Sequence, residues 1–222
     1  MLVYIIRHGE TNLNVQGRLQ GRYDEPLNKN GIALGKETGE ALKGIPFDYL
    51  FTSPLKRAKR TGELCIAPSA KLFHKRPKKI LMDGLMEMSF GEWEGLGSRS
   101  RNYEIPVPFE EFNRFFTDPF AFRPHGGETI REMIERTDAA LQSILTDPKL
   151  QDKIIIVSTH GCALRGMLNR FYEDRHDFWQ GVTPYNCAIN VIRVEKGKQE
   201  LIARDLVLYD RSRIVDHYKL DG

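Results

Sequence analysis

Leu2–Gly9 reads LVYIIRHG, and Ile154–Gly161 reads IIIVSTHG. Each is an apolar run that ends on a histidine followed by a glycine. The five apolar residues Leu2–Ile6 leave no room for a wet face and predict a strand buried on both sides. Ile154–Ser158 predicts a second such strand and Asp48–Thr52 a third. A polar, reactive segment succeeds each run: Arg7-His8-Gly9, Ser53-Pro54-Leu55-Lys56-Arg57, and Thr159-His160-Gly161.

Helical patterns lie between these runs. Lys29–Lys43 places Ile32, Leu34, Ala41 and Leu42 at roughly helical spacing, and Leu55, Ala58, Cys65 and Ile66 predict another helix. The clearest begins near Glu128, where Ile130, Met133, Ile134, Thr137, Leu141, Ile144 and Leu145 recur on one face. Ala188–Val194 and Leu201–Leu208 read as two late strands joined at Gly197. Such alternation predicts an α/β fold, a parallel sheet covered by helices on both faces. Sheets of that kind bind ligands just beyond the carboxyl ends of their strands. The three reactive segments fall there.

Ser89–Pro124 departs from the alternation. Six of the twelve phenylalanines lie within it between Phe109 and Phe122. The segment is expected to be a cap insertion (about 89–124) over the sheet end, within one domain spanning residues 1–222. For any single phenylalanine, ordinary core is the better reading.

The 222 residues carry 33 Lys and Arg against 30 Asp and Glu, a formal charge of +3. That balance argues against a nucleic-acid partner. With 41% hydrophobic and 28% charged residues the chain reads as globular. No apolar run approaches the roughly 20 residues that cross a bilayer, and MLVYIIRHGE lacks the basic start of a signal peptide. Cys65, Cys162 and Cys187 are scattered and odd in number, with no C-x-x-C. Neither a disulfide framework nor a structural zinc site is expected, and a cytoplasmic location fits.

Arg7 and Arg57 offer planar forks that grip phosphate or carboxylate at two points. Gly9 and Gly161 would each let the backbone approach a ligand and open a helix whose N–H groups face an anion. The combination reads as a cradle for a dianionic group with imidazole inside it.

Arg7-His8-Gly9-Glu10-Thr11 is similar to the R-H-G-E-[ST] signature of the histidine phosphatase superfamily, the phosphoglycerate mutase-like family. R-H-G alone arises by chance in a chain of this length roughly one time in a hundred. Further matches occur in the family's order. They are Asn14, Gly17-Arg18-Leu19-Gln20-Gly21 with Asp24, Pro26, Leu27 and Gly31, and Ser53-Pro54-Leu55-Lys56-Arg57-Ala58. Glu87 opens the run Glu87–Gly95, Gly126-Gly127-Glu128-Thr129 precedes the long helix, and Val157–Gly161 completes the set. The matches reach about residue 170.

The resemblance implies a three-layer α/β/α sandwich with a mostly parallel sheet of about six strands. It implies that His8 is a nucleophile forming a phosphohistidine. Arg7, Arg57 and His160 would hold the phosphoryl oxygens, with His160 serving best as imidazolium. Asn14 and the backbone N–H groups of Gly21 and Gly161 would add donors, with Gln20 nearby. Glu87 would be the general acid. No cofactor and no metal is implied, since the cations already supply positive charge.

The implied activity is a phosphatase acting on a small phosphorylated metabolite. A mutase sharing the same site is the alternative, and a non-catalytic phosphate-binding module a third. Mutases of the family carry Asn after the second H-G, where this chain has Cys162. They also carry an Arg pair for a substrate carboxylate, for which Arg99 and Arg101 are candidates without being adjacent. Glu10 is a rival acid. Cys162, flanked by His160 and Arg165, lacks the five-residue spacing of a cysteine phosphatase loop. His74, His125, His176 and His217 read as ordinary hydrogen-bonding residues, Trp93 as packing, and Lys71–Lys79 as a solvated loop.

Overall fold

A computed structural model describes residues 1–215. Its sheet has six strands in the order β3-β2-β4-β1-β5-β6. They are β1 (Leu2–Arg7), β2 (Tyr49–Thr52), β3 (Lys78–Leu81), β4 (Ile154–Thr159), β5 (Ile189–Glu195) and β6 (Lys198–Leu206). The pairs among β3, β2, β4 and β1 are parallel, and those of β5 with β1 and β6 are antiparallel. Only β5 therefore runs against the rest.

Six α-helices accompany the sheet: α1 (Asn12–Gln16), α2 (Lys29–Ala41), α3 (Lys56–Leu72), α4 (Phe109–Thr117), α5 (Ile130–Leu145) and α6 (Gly161–Leu168). Alternation along the strands sorts the core into two layers. Val3, Ile5, Ile155 and Val157 meet Leu141, Leu145, Leu164 and Leu168 of α5 and α6. Ile6, Ile156 and Leu50 face the other way, onto Leu34, Cys65 and Ile66 of α2 and α3. Helices thus cover both faces of a mostly parallel sheet, as expected. None among the described residues is long and apolar enough to cross a membrane.

The sequence pattern does not predict β3. Lys71–Lys79 reads as a solvated loop, but Lys78 and Lys79 open an edge strand, both exposed. Lysines are at home on a sheet edge because they discourage pairing with another chain. The strand's lack of a buried face removes the periodic signal.

Between β3 and α5 the rings of Phe112, Phe115 and Phe122 are buried together with Phe90, Trp93 and Trp179. Phe115 and Phe122 lie 5.0 Å apart, Phe115 and Trp179 5.1 Å. The Trp179 indole N–H donates to the Phe115 carbonyl at 2.9 Å, which satisfies its one polar atom. Trp93 is packing, as expected.

Candidate active site

The register of β1 on β4 builds the site. Arg7 pairs with Thr159, so the two strands end together and His8 and His160 emerge side by side. Their ring centroids are 5.3 Å apart. β2 ends level with them through the pairing of Thr52 with Ser158. Ser53 comes next, and its Oγ lies 2.8 Å from His160 Nε2.

His8 is buried and fixed from both sides. Its amide donates to the Thr159 carbonyl at 2.9 Å, and its own carbonyl accepts from Asn186 Nδ2 at 3.0 Å. The ring Nδ1 lies 2.7 Å from the Gly9 carbonyl. A carbonyl oxygen only accepts, so Nδ1 carries a proton, and it is the neutral ring that has its lone pair on Nε2.

One pocket is lined by His8, Asn14, Gln20, Gly21, Arg57 and Glu87 together. Arg7 is buried, and its guanidinium donates to the Pro184 carbonyl. Arg57 is fully buried, donating to the carbonyls of Gly21 and Tyr23 at 2.7 Å each. Asn14 Oδ1 accepts from the Thr11 amide at 3.2 Å, and Gln20 Oε1 from the Thr11 hydroxyl at 2.9 Å. The amide oxygens being so engaged, the NH₂ groups are the donors these two residues offer the pocket. Gly21 has φ +49°, and a Cβ there would stand 2.2 Å from Glu94 Oε1, so a side chain would be strained and would displace Glu94.

Two expectations are corrected. Gly9 opens no helix, since α1 starts at Asn12 and the Gly9 amide donates to Thr61 Oγ1 at 2.9 Å. Its lack of a side chain matters because the Gly31 carbonyl would lie 2.6 Å from a Cβ. Gly161 does open α6. The group seated on that helix end, however, is the Glu87 carboxyl, which accepts from the amides of Cys162 at 3.2 Å and Ala163 at 2.9 Å.

The surroundings of His160 act on its charge. Burial, then the charges of Arg57, His8 and Arg7, push its pKa well below the usual 6.5. These surroundings by themselves oppose a charge on the ring. Its Nδ1 is buried without a hydrogen-bond partner.

The remaining candidates sort cleanly. Glu10 Oε1 accepts from Asn28 and Asn30 side chains at 2.8 and 3.1 Å, holding the loop before α2, and does not line the pocket. Arg99 is buried and lines the pocket, while Arg101 is exposed. His74, His125 and His176 are exposed, and His217 lies outside the described residues. Cys162 lines the pocket, but burial and the Glu87 carboxylate push its thiol pKa up, away from the reactive thiolate. All three cysteines are free and buried. No cluster of three or more His, Cys, Asp or Glu able to hold a metal ion occurs among the described residues.

Sequence reading misses Asn186, Thr61 and the lining residue Ser98, while the lining residues Phe90 and Phe115 fall in the Glu87–Gly95 run and the phenylalanine-rich segment. Asn186 and Thr61 act through single long-range hydrogen bonds, which leave no local pattern. Arg18 and Leu19 also line the pocket, and there a signal exists: they stand inside the Gly17–Gly21 run.

Comparison with known proteins agrees with this geometry. The chain is 32% identical over 166 residues to "Uncharacterized phosphatase PhoE" of Bacillus subtilis, covering 75% of each protein. It is 30% identical over 198 residues to "Phosphoglycerate mutase-like protein 4" of Arabidopsis thaliana, covering 88% of this chain and 80% of that one. Among solved structures, Bacillus stearothermophilus YhfR superposes with a TM-score of 0.82 at 24% identity, over 94% of this chain and 99% of that one. The model of the histidine phosphatase superfamily (branch 1) matches residues 3–205, and the chain belongs to that family.

Proposed function

We propose that this protein hydrolyses small phosphomonoesters through a phosphohistidine on His8, without a metal. The observation that carries the reading is the His8 tautomer. With Nδ1–H bonded to Gly9, Nε2 is the nitrogen whose lone pair the neutral ring offers, in a pocket that also holds Arg57 and Glu87. Relatives of both names, phosphatase and phosphoglycerate mutase-like, fit the same site.

In the first step Nε2 attacks phosphorus and the bond to the leaving oxygen breaks. Glu87 gives that oxygen a proton, so the product leaves as an alcohol. In the second step the Glu87 carboxylate takes a proton from water as its oxygen attacks phosphorus. The P–N bond breaks and inorganic phosphate departs. Arg57, Arg7, Asn14 and Gln20 stabilise charge on the phosphoryl oxygens. A dianion bound against His160 would oppose the effect of burial and the arginines and draw a proton onto that ring.

Arg99 in the pocket favours a second reading for the substrate. An ester that also bears a carboxylate would meet it, and a mutase would return the phosphoryl group to such a product. Release of inorganic phosphate from phosphoglycerate, as against interconversion of its isomers, separates the two.

The test is single-turnover phosphorylation of His8 with two leaving groups, EDTA being present. Glu87→Gln should slow transfer from an alkyl phosphate by roughly 10² to 10⁴ while affecting p-nitrophenyl phosphate only mildly. Equal slowing for both would pass the acid role to another carboxylate.

A further inference from the structure

Glu87 stands on no helix or strand, lying between short 3₁₀ turns at Asp83–Leu85 and Gly91–Trp93. Backbone groups in such a stretch still need partners. One guanidinium supplies them. Arg136, on the second turn of α5, donates from Nη1 to the carbonyls of Gly84 and Met86, both at 3.0 Å. Its Nη2 donates to the Glu87 carbonyl at 3.3 Å and to Glu128 Oε2 at 2.8 Å, and Nε to Glu128 Oε1 at 2.8 Å. All five N–H groups of Arg136 are thereby used.

Glu128 extends the clamp to the far side of Glu87. Its Oε2 accepts from the Ser89 amide at 2.9 Å, and its own amide donates to the Ser89 carbonyl at 2.8 Å. Arg22, next to the pocket residue Gly21, pairs with Glu128 Oε1 at 3.1 Å. The chain is thus pinned at Gly84, Met86, Glu87 and Ser89. The Glu87 carboxylate is independently seated on the amides of Met88, Cys162 and Ala163. Neither Arg136 nor Glu128 lines the pocket.

We propose that the Glu128–Arg136 pair is a positioning device for the proton donor, fixing the backbone of Glu87 so that its carboxyl meets the leaving oxygen. This inference rests on the reading of Glu87 as the acid. Proton transfer tolerates little displacement, because donor and leaving oxygen must come within hydrogen-bond reach. Lysine at 136 would keep the charge but could not serve five acceptors from one plane.

The experiment measures single-turnover phosphorylation of His8 with glycerol phosphate and with p-nitrophenyl phosphate, in Arg136→Lys, Glu87→Gln and the double variant. Arg136→Lys should slow the alkyl ester about 10- to 100-fold and the aryl ester less than about threefold, with KM nearly unchanged. The double variant should match Glu87→Gln, because a positioning residue adds nothing once its proton donor is gone. Equal slowing of both esters, or a further alkyl-specific loss in the double variant, would overturn the proposal and reduce the clamp to structural glue. Should Arg136→Lys fail to fold, Glu128→Gln reads the same ratio. If Glu87→Gln itself shows no preference between esters, the acid reading fails and the clamp proposal with it. A normal Glu87→Gln response beside an indiscriminate Arg136→Lys sinks the clamp alone.

Discussion

The strand ends and the aromatic segment are equally buried but are held by different forces. Arg7, Arg57 and His160 at the strand ends are at most 2% exposed, as are Phe112 and Phe115 in the segment. Burying a charge is costly unless directional partners are supplied, so each arginine is tied to backbone carbonyls at fixed positions. Burying a ring needs only contact, and rings repack in several ways. The charged region can therefore hold one geometry for one chemistry. The aromatic region can vary and still pack.

The largest expected effect falls on the strand ends. His8→Ala should lower kcat on p-nitrophenyl phosphate by roughly 10⁴-fold or more, in line with loss of a nucleophile elsewhere. The side chain lines a pocket, so the circular dichroism spectrum should be retained. After an alkaline quench, which preserves a P–N bond, the wild type should carry a phosphate label and the variant none. A label surviving on Cys162 would break the contrast at its root.

The comparison also explains what the sequence makes legible. An apolar run ending in His-Gly marks a strand and its reactive tip within eight residues, so His8 and His160 can be read locally. Glu87, one of 30 acidic residues, emerges only through the family resemblance. Its setting is invisible because Arg136 reaches it across 49 residues of sequence. The lowered pKa of His160 escapes for a related reason: it depends on burial and on Arg57, which is distant in the chain. β3 escapes because its exposed lysines erase the alternation that marks a half-buried strand.

Arg57→Lys comes next in size. Lysine keeps the charge but cannot hold the carbonyls of Gly21 and Tyr23 and present a fork to the pocket as well. A loss of about 10² to 10³ in kcat/KM is expected, the range for losing a pre-set charge-stabilising donor. Near-normal rates would show that the charged region tolerates change as the aromatic one does.

Phe112→Ala probes the other side. Phe112 is buried among rings and does not line the pocket. Urea unfolding should show a loss of about 3–5 kcal/mol, the usual range for removing a buried ring. The folded fraction should keep kcat on p-nitrophenyl phosphate within about threefold, because the transition-state contacts are untouched. Phe115→Ala should differ by also raising KM, since that ring does line the pocket. A collapse of kcat in Phe112→Ala would mean that the two regions are mechanically one.

The smallest effect concerns His160 and stability. Its pKa in the folded protein is lowered from 6.5, chiefly by burial and then by Arg57, His8 and Arg7. Below the ordinary value the unfolded chain takes up a proton that the folded protein refuses. More protons are then bound in the unfolded state, so stability rises with pH in that window. The contribution is fully present above about pH 6.5 and is lost as pH falls toward the folded pKa. Each unit of lowering is worth about 1.4 kcal/mol. Urea midpoints measured between pH 7 and pH 5 should fall in the wild type, and the slope should flatten in His160→Gln, which keeps a similar size without a titrating ring. Inorganic phosphate should lessen the wild-type slope, because an anion beside His160 favours its protonated form. If the slopes of wild type and His160→Gln coincide, the acid sensitivity belongs to surface carboxylates, and the buried charge at the strand ends is inert to pH over that range.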